Sequence, residues 1–368
     1  MKKIFLVIWG DPKFYQTLIF LSQKFSKDKF KVFILSRNLD NITDVVKQVD
    51  FGKNVKLLKS PIFLSHRLNK LNYIIFNFYI LIQIILKKPC HLIFFNKKAL
   101  FNILLVKILR KKINFIYHNF DFEILDKTKR LKEKLLIKLE FFCSRFCNHV
   151  VFPSKERAKV FRKFSGNKFS KYYSLMNCFP KNFKIKRSSK FDRFLYTNNL
   201  KSKHIICHLG SIGPNHYLEE IIDSFKLINN KFVLIIAGSS INGFAKKLKT
   251  KIIKNELKKK VFIFENISNQ LWFGILKRSN LGLSFYKQNS LSHKFMAGTS
   301  QKFNNYLFSN TPMIVNNTLN FKNFKKKFDI FEITNPKNSK KISETIFKIL
   351  SNRPRYLEIK KNMKIVFL

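Results

Sequence analysis

Residues 300–315, SQKFNNYLFSNTPMIV, set a Lys at the mouth of an apolar, helix-like stretch that breaks at Ser-Asn-Thr-Pro and runs into a β-like Met-Ile-Val. The first turn of a helix offers free amides and the positive end of the macrodipole. A Lys there is mildly misplaced on its own account and well placed opposite an anion. Ser300 and Lys302 therefore suit a pyrophosphate, although a solvated surface Lys in a Lys-rich chain is the plain alternative. Two glycine turns could join them. HLGSIGPNHYLEE closes an apolar run with Gly210, Ser211 and Gly213 before a helix that starts near His216, with Leu218, Ile221 and Ile222 on one face. Gly238 and Ser239 end another such run. Backbone amides at turns of this kind can cradle a phosphate, and turns of this kind also join ordinary βα units.

Other chemistries fit less well. His204 and His208 lie four apart in a strand pattern with no third ligand beside them, so a metal reading fails. No Asp-x-Asp pair occurs; the nearest is Asp121-Phe122-Glu123. The five cysteines are odd in number and form no Cys-x-x-Cys pair, which fits buried thiols in a reducing compartment.

These residues need a scaffold. Apolar runs rich in Ile, Val, Phe and Tyr recur at 4–8, 31–35, 55–58, 91–95, 113–118, 149–153 and 172–176, without strict alternation. Such runs suit strands buried on both faces of a parallel sheet. The segments between them are long enough for crossover helices. One is KRLKEKLLIKLEFFCSRF, where Leu131, Leu135, Leu139 and Phe142 fall at helical spacing and predict its buried face. From Pro180 to Ser202 the chain is basic, polar and aperiodic, which reads as a linker. A second series follows at 204–210, 231–238, 261–266, 281–286, 312–315 and 328–333, then a basic helical tail from about Ser339. The expected fold is α/β: two doubly wound Rossmann-like domains, 1–190 and 200–345, facing a central cleft, with a C-terminal helix over 346–368.

Lys and Arg total 72 against 21 Asp and Glu, a formal charge of +51. That balance attracts polyanions. The bases are spread along the chain and no nucleic-acid-binding signature accompanies them, so no nucleic acid is expected as a partner. An anionic membrane surface or a pyrophosphate-bearing ligand is. MKKIFLVIWGDP is too short an apolar run for a signal peptide and reads as a first buried strand. Tyr73–Leu86 is greasy but interrupted by Asn77 and Gln83. It reads as a helix packed on a sheet, or as one whose exposed face, flanked by Lys70, Lys87 and Lys88, dips into a bilayer surface.

The ordered series Gly-Ser-Ile-Gly with Leu-Glu-Glu-Ile-Ile, Leu-Ile-Ile-Ala-Gly, Val-Phe-Ile-Phe-Glu-Asn-Ile, Leu-Gly-Leu-Ser and Ser-Gln-Lys-Phe-Asn-Asn-Tyr resembles the donor-sugar domain of group 1 (family 4-like) glycosyltransferases with the GT-B fold. In the first half, Phe-Ile-Tyr-His-Asn-Phe-Asp-Phe-Glu (115–123) is similar to the acceptor-domain segment that delivers a His or an acid, and Lys138-Leu139-Glu140 follows in the family's order. The resemblance implies transfer of a sugar from a nucleotide-sugar donor to a glycan or lipid-linked acceptor. It implies retention at the anomeric carbon, metal independence and no cofactor beyond the co-substrate, in cell-surface polysaccharide synthesis on the cytoplasmic side of the membrane.

By this resemblance the diphosphate falls to Lys302, Ser300 and the turns at Gly210, Ser211, Gly213, Gly238 and Ser239. The nucleobase falls to Phe264, Asn266 and Ile267, and Asn305 stands where the family has its second acid. His118 and Asp121 are the catalytic candidates on the acceptor side, with a satisfied core histidine and a helix N-cap as their plain alternatives. Gly10 and Asp11, after the first strand, would admit the acceptor. The family's first acid is missing from SLSHKFMAG, and Ser211 and His216 stand near the place of its Arg and Lys pair. Lys302 would then carry more of the diphosphate charge. A catalytically inactive glycan- or membrane-binding module and a sugar-nucleotide epimerase of the same fold are the rival readings.

Overall fold

The computed structural model describes residues 1–37, 50–61, 69–109, 112–120, 123–125, 130–179, 183 and 187–367. The chain divides into two compact units, Met1–Asn177 and Cys178–Leu368.

The first unit holds β1 (Lys3–Ile8), β2 (Lys31–Ser36), β3 (Val55–Lys59), β4 (His91–Phe95), β5 (Asn114–His118), β6 (His149–Phe152) and β7 (Lys171–Ser174). They form one parallel sheet in the order β3-β2-β1-β4-β5-β6-β7. Phe5, Leu6, Val7 and Ile8 are wholly buried, as continuous apolar strands between two helical layers must be. The strand order reverses between β1 and β4, and a doubly wound sheet binds ligands at the carboxyl ends beside such a reversal.

The second unit repeats the plan with β8 (His204–Leu209), β9 (Phe232–Gly238), β10 (Val261–Glu265), β11 (Leu281–Ser284), β12 (Met313–Asn316) and β13 (Phe331–Thr334). Its order is β10-β9-β8-β11-β12-β13, again parallel, with the reversal between β8 and β11. Both doubly wound sheets are thus as the apolar runs predict.

Three expectations change. The basic stretch expected to be a linker contains a helix, Ser189–Thr197, capped by Ser188, and its Phe191 and Leu195 are buried in the second unit's core. Lys, Arg and Asn around those few apolar positions hid the period. In the helix Leu131–Ser144 the expected stripe is the exposed one: Leu131, Leu135 and Phe142 face outward, while Ile137, Glu140, Phe141 and Cys143 are buried. That helix has apolar residues on both faces, so period alone could not choose between them. The tail is two helices, Ser339–Ser351 and Arg353–Phe367. Arg355 of the second donates to Asp329 and Glu332 and holds the Asp329 carboxyl down at about 2, which ties the tail to the β13 region.

The helix Gln301–Phe308 follows β11 and is anchored by Tyr306. The Tyr306 hydroxyl accepts from the Leu209 amide at 3.0 Å and donates to the Cys207 carbonyl at 3.0 Å. Its ring lies so close to Gly282 that a Cβ there would sit 2.6 Å from it. Tyr306→Phe deprives the buried Leu209 amide of this acceptor. We expect a loss of about 1–3 kcal/mol, read as a lower urea midpoint with an unchanged m-value.

Candidate functional site

Lys302 and Tyr306 lie four apart on the Gln301–Phe308 helix, so both reach toward the carboxyl end of β8. Lys302 is 5% exposed. Its amine stands 3.4 Å from His208 Nδ1, 3.5 Å from Nε2, and 4.7 Å from the centre of the Tyr286 ring. Among the described residues no carboxylate pairs with it. Burial therefore pushes its pKa well below the ordinary lysine value, with only Cys207 acting slightly the other way. The plain reading of a solvated surface Lys does not hold.

The surrounding groups are held rigidly and kept neutral. His216 Nδ1 lies 3.0 Å from the Phe285 carbonyl, which can only accept, so Nδ1 carries the proton. Its Nε2 then accepts from the Ser211 hydroxyl at 2.8 Å. Burial, and next the nearby Lys302, lower His216 to about 3. The same two causes push His208 well down. Asn316, at the end of β12, clamps Tyr286 by accepting from its amide and donating to its carbonyl, each at 2.8 Å. The Tyr286 hydroxyl bonds Ser300, and Ser300 caps the helix by accepting from the Phe303 amide.

The glycines have packing reasons as well. A Cβ on Gly210 would come within 3.0 Å of Lys302 Cε. Gly238 has φ 153°, and a Cβ there would fall 1.7 Å from the Gly210 carbonyl oxygen. Gly213 sits against Ile241 and precedes a short 3-10 turn, Pro214–His216; the helix proper begins at Leu218. Ser239 is exposed beside these turns. The structure thus gathers Lys302, Ser300, Gly210, Ser211 and Gly238 at the β8/β11 reversal. It brings in His216, expected near the place of the family's Arg and Lys pair, and adds Tyr286 and His208, the latter expected only as half of a rejected metal pair.

The other candidates are placed as follows. Asn305 is fully buried, and among the described residues neither end of its amide has a partner. A buried amide left open at both ends is costly and fits a position that a ligand completes. Phe264 turns its ring onto Phe194, at 5.0 Å, and Phe191. Ile267 packs on the same core. The Phe264 ring thus packs on the Ser189–Thr197 helix and is only partly buried. The backbone at Asn266 has a left-handed φ of 51°, and its amide donates to the Gly238 carbonyl at 3.0 Å.

In the first unit, His118 ends β5 and is 2% exposed. Its ring stacks on Phe95 at 5.2 Å and lies 4.7 Å from Phe120, and neither ring nitrogen has a partner among the described residues. Burial lowers it to about 4. In the free protein His118 is therefore a neutral imidazole, suited to orient a hydroxyl by a hydrogen bond. Asp11, expected to line an acceptor entry, caps the Pro12–Phe14 turn by accepting from the Lys13 amide at 3.0 Å. Gly10 meets only ordinary contact with Tyr15, so no special backbone freedom is used there. Asp121 lies outside the described residues.

Glu140 is an addition. Tyr117 and Asn119, on either side of His118, both donate to Glu140 Oε1, at 2.7 and 2.8 Å. The carboxyl is fully buried, and its pKa rises to about 7 because desolvation outweighs those bonds. Glu140 ties the end of β5 to the Leu131–Ser144 helix and so fixes where His118 stands. Among the described residues no three His, Cys, Asp or Glu side chains converge as a metal site.

Residues 192–366 match the family model described as glycosyl transferases group 1. No curated protein matches the sequence at a significant level. Among solved structures, Anabaena HepE in complex with UDP and glucose is similar at 13% identity and TM-score 0.75, covering 100% of this chain and 95% of that one. Sucrose-phosphate synthase from Thermosynechococcus elongatus is similar at 12% identity and TM-score 0.75, covering 100% and 94%. WaaG, a glycosyltransferase involved in lipopolysaccharide biosynthesis, follows at 11% identity and TM-score 0.68, covering 98% and 94%.

The buried amine has a pH signature. In the unfolded chain Lys302 keeps its proton up to about 10.5, and in the folded chain it gives the proton up earlier. Between those two values the unfolded state binds more protons, so stability rises with pH. Lys302→Met removes the cost while keeping the volume. We expect the variant to be more stable than wild type at neutral pH, by on the order of 2 kcal/mol, with the gap closing toward alkaline pH. Parallel melting profiles across that range would rule the buried, unpaired amine out.

Proposed function

We propose that this chain, whose residues 192–366 match the family model of group 1 glycosyl transferases, moves a sugar from a nucleoside-diphosphate donor to a glycan or lipid-linked acceptor. The reaction retains anomeric configuration and needs no metal. It takes place at the cytoplasmic face of a membrane during cell-surface polysaccharide synthesis. The observation that carries the reading is Lys302, buried at the β8/β11 reversal with no carboxylate paired to it among the described residues.

Departure of a nucleoside diphosphate leaves negative charge on the β-phosphate, and catalysis requires that charge to be stabilised as it develops. A diphosphate beside Lys302 supplies the missing anion. An anion beside the amine favours its protonated form, and opposite charges at 4 Å attract by about 4 kcal/mol at an effective dielectric of 20. Because burial lowers the amine's pKa in the empty site, donor binding raises it again and favours proton uptake. The Ser211 hydroxyl spends its proton on His216 in the empty site, and the Gly210 and Ile212 amides donate to the Ala237 and Ser239 carbonyls, so a diphosphate there draws on the remaining backbone amides of the Gly210–Gly213 and Gly238–Ser239 turns. Asn305 offers both an acceptor and donors where the family's acid offers acceptors alone. A uridine donor is the first to test, since HepE binds UDP and glucose. The missing Asp-x-Asp pair supports metal independence. His118, neutral and unpartnered, orients the acceptor hydroxyl.

A melting-shift panel of UDP-, GDP-, ADP- and CMP-sugars, followed by turnover of the radiolabelled hit, tests this. Lys302→Ala should reduce turnover by about 10²–10³-fold and abolish the donor shift. His118→Ala should lower kcat by about 10²-fold and leave the donor shift in place. Turnover should persist in excess EDTA. A donor shift that survives Lys302→Ala sinks the site, and binding of glycans with no turnover of any donor makes the protein a binding module.

A further inference from the structure

The helix Asn69–Lys87 has two apolar faces, and only one is used. Phe76, Ile80 and Ile84 are buried, and Trp9 packs edge-on against both Tyr73 and Phe76. Leu71, Ile74, Phe78, Ile82, Ile85 and Leu86 fall at helical spacing on the opposite side and are all exposed, Phe78 by 61% and Leu86 by 67%. The helix Ile103–Leu109 packs alongside and extends this surface with exposed Leu105 and Ile108, the latter 77% exposed. A contiguous apolar surface of this kind marks a contact with something apolar.

The charges around it say what. No Asp or Glu occurs anywhere between Asp50 and Asp121. Lys70 stands at one end of the helix, Lys87 and Lys88 at the other, and Lys107 on the neighbouring helix. A second copy of the chain would bring the same cationic rim against itself. A bilayer with anionic headgroups meets both the apolar stripe and the rim. The helix is apolar enough over Lys70–Lys87 to cross a membrane by composition. Crossing, however, would pull Phe76, Ile80 and Ile84 out of the core they complete.

We infer that the Leu71–Leu86 face seats this protein on an anionic membrane as an in-plane helix, with Phe78 and Ile82 in the headgroup–acyl boundary and the lysine rim on the phosphates. This rests on the membrane-surface part of the proposed function and not on the transfer chemistry. It also names the side of the first unit from which a lipid-linked acceptor would arrive.

Flotation with phosphatidylcholine/phosphatidylglycerol vesicles, against pure phosphatidylcholine, provides the test. Wild type should float with the mixed vesicles, and moderate salt should weaken this without abolishing it. Phe78→Gln/Ile82→Gln, both at exposed positions, should lower the bound fraction by roughly tenfold or more with the melting temperature kept. Lys70→Gln/Lys87→Gln/Lys88→Gln should remove the preference for anionic lipid. An Ile82→Trp probe should be quenched by lipids brominated near the headgroup and spared by those brominated near the chain ends. The inference falls if Phe78→Gln/Ile82→Gln binds like wild type. It falls equally if the bound protein resists alkaline extraction as a spanning helix would, or if that variant only turns an oligomer into a monomer. Vesicle binding without donor turnover leaves it standing and removes the transfer reading; turnover without vesicle binding does the reverse.

Discussion

An amine buried with no counter-charge is the constraint around which the second unit is arranged. Taking Lys302 out of water is unfavourable, and among the described residues no carboxylate offsets it. The neighbours offset only part of the cost: two imidazoles, both kept neutral, and the face of a tyrosine. That arrangement persists because the rest of the unit over-determines it. Tyr306 bolts the helix to β8, Asn316 clamps Tyr286, and Ser300 joins Tyr286 to the helix cap. Gly238, Gly210 and Lys302 are stacked so closely that no side chain fits on Gly238, and one on Gly210 would press on Lys302. Stability given up at one spot and held by the surroundings is the usual mark of a functional site.

The first unit uses burial for a related end. His118 sits among phenylalanines with both nitrogens open, at the carboxyl end of β5. Its backbone is held from the other face of the sheet by Tyr117 and Asn119 on the Glu140 carboxyl. Alternating side chains of one strand thus divide the labour, two fixing position and one left available. The same unit carries an acid-free stretch and an uncovered apolar helix face, which the second unit's buried chemistry does not require.

Most of the scaffold was legible in the sequence. The described strands fall on apolar runs, and most clearly the inner ones, because a strand buried on both faces has no polar positions to obscure it, whereas the edge strands β3 and β7 are partly exposed and carry lysines. Lys302 was legible too, since a base at a helix mouth violates a local preference. The errors share one cause. Where both faces of a helix are apolar, as in Leu131–Ser144, or where a short helix is crowded with lysines, as in Ser189–Thr197, periodicity cannot say which side meets the core. Phe264 and Asp11 have packing and capping roles that the sequence did not show, because their residue types suit a ligand and a structural role equally well.

Local patterning, then, determined the parallel sheets, the order of the glycine turns and the presence of a lysine beside them. Tertiary structure alone decided charge state and company. It set His208 and His216 next to Lys302 across long stretches of chain, and it moved His118 from near-neutral to about 4. The reason is physical. Strand and helix patterns arise from interactions between neighbours in the chain, whereas desolvation depends on every atom that excludes water from a group, and those atoms are brought together only by the fold.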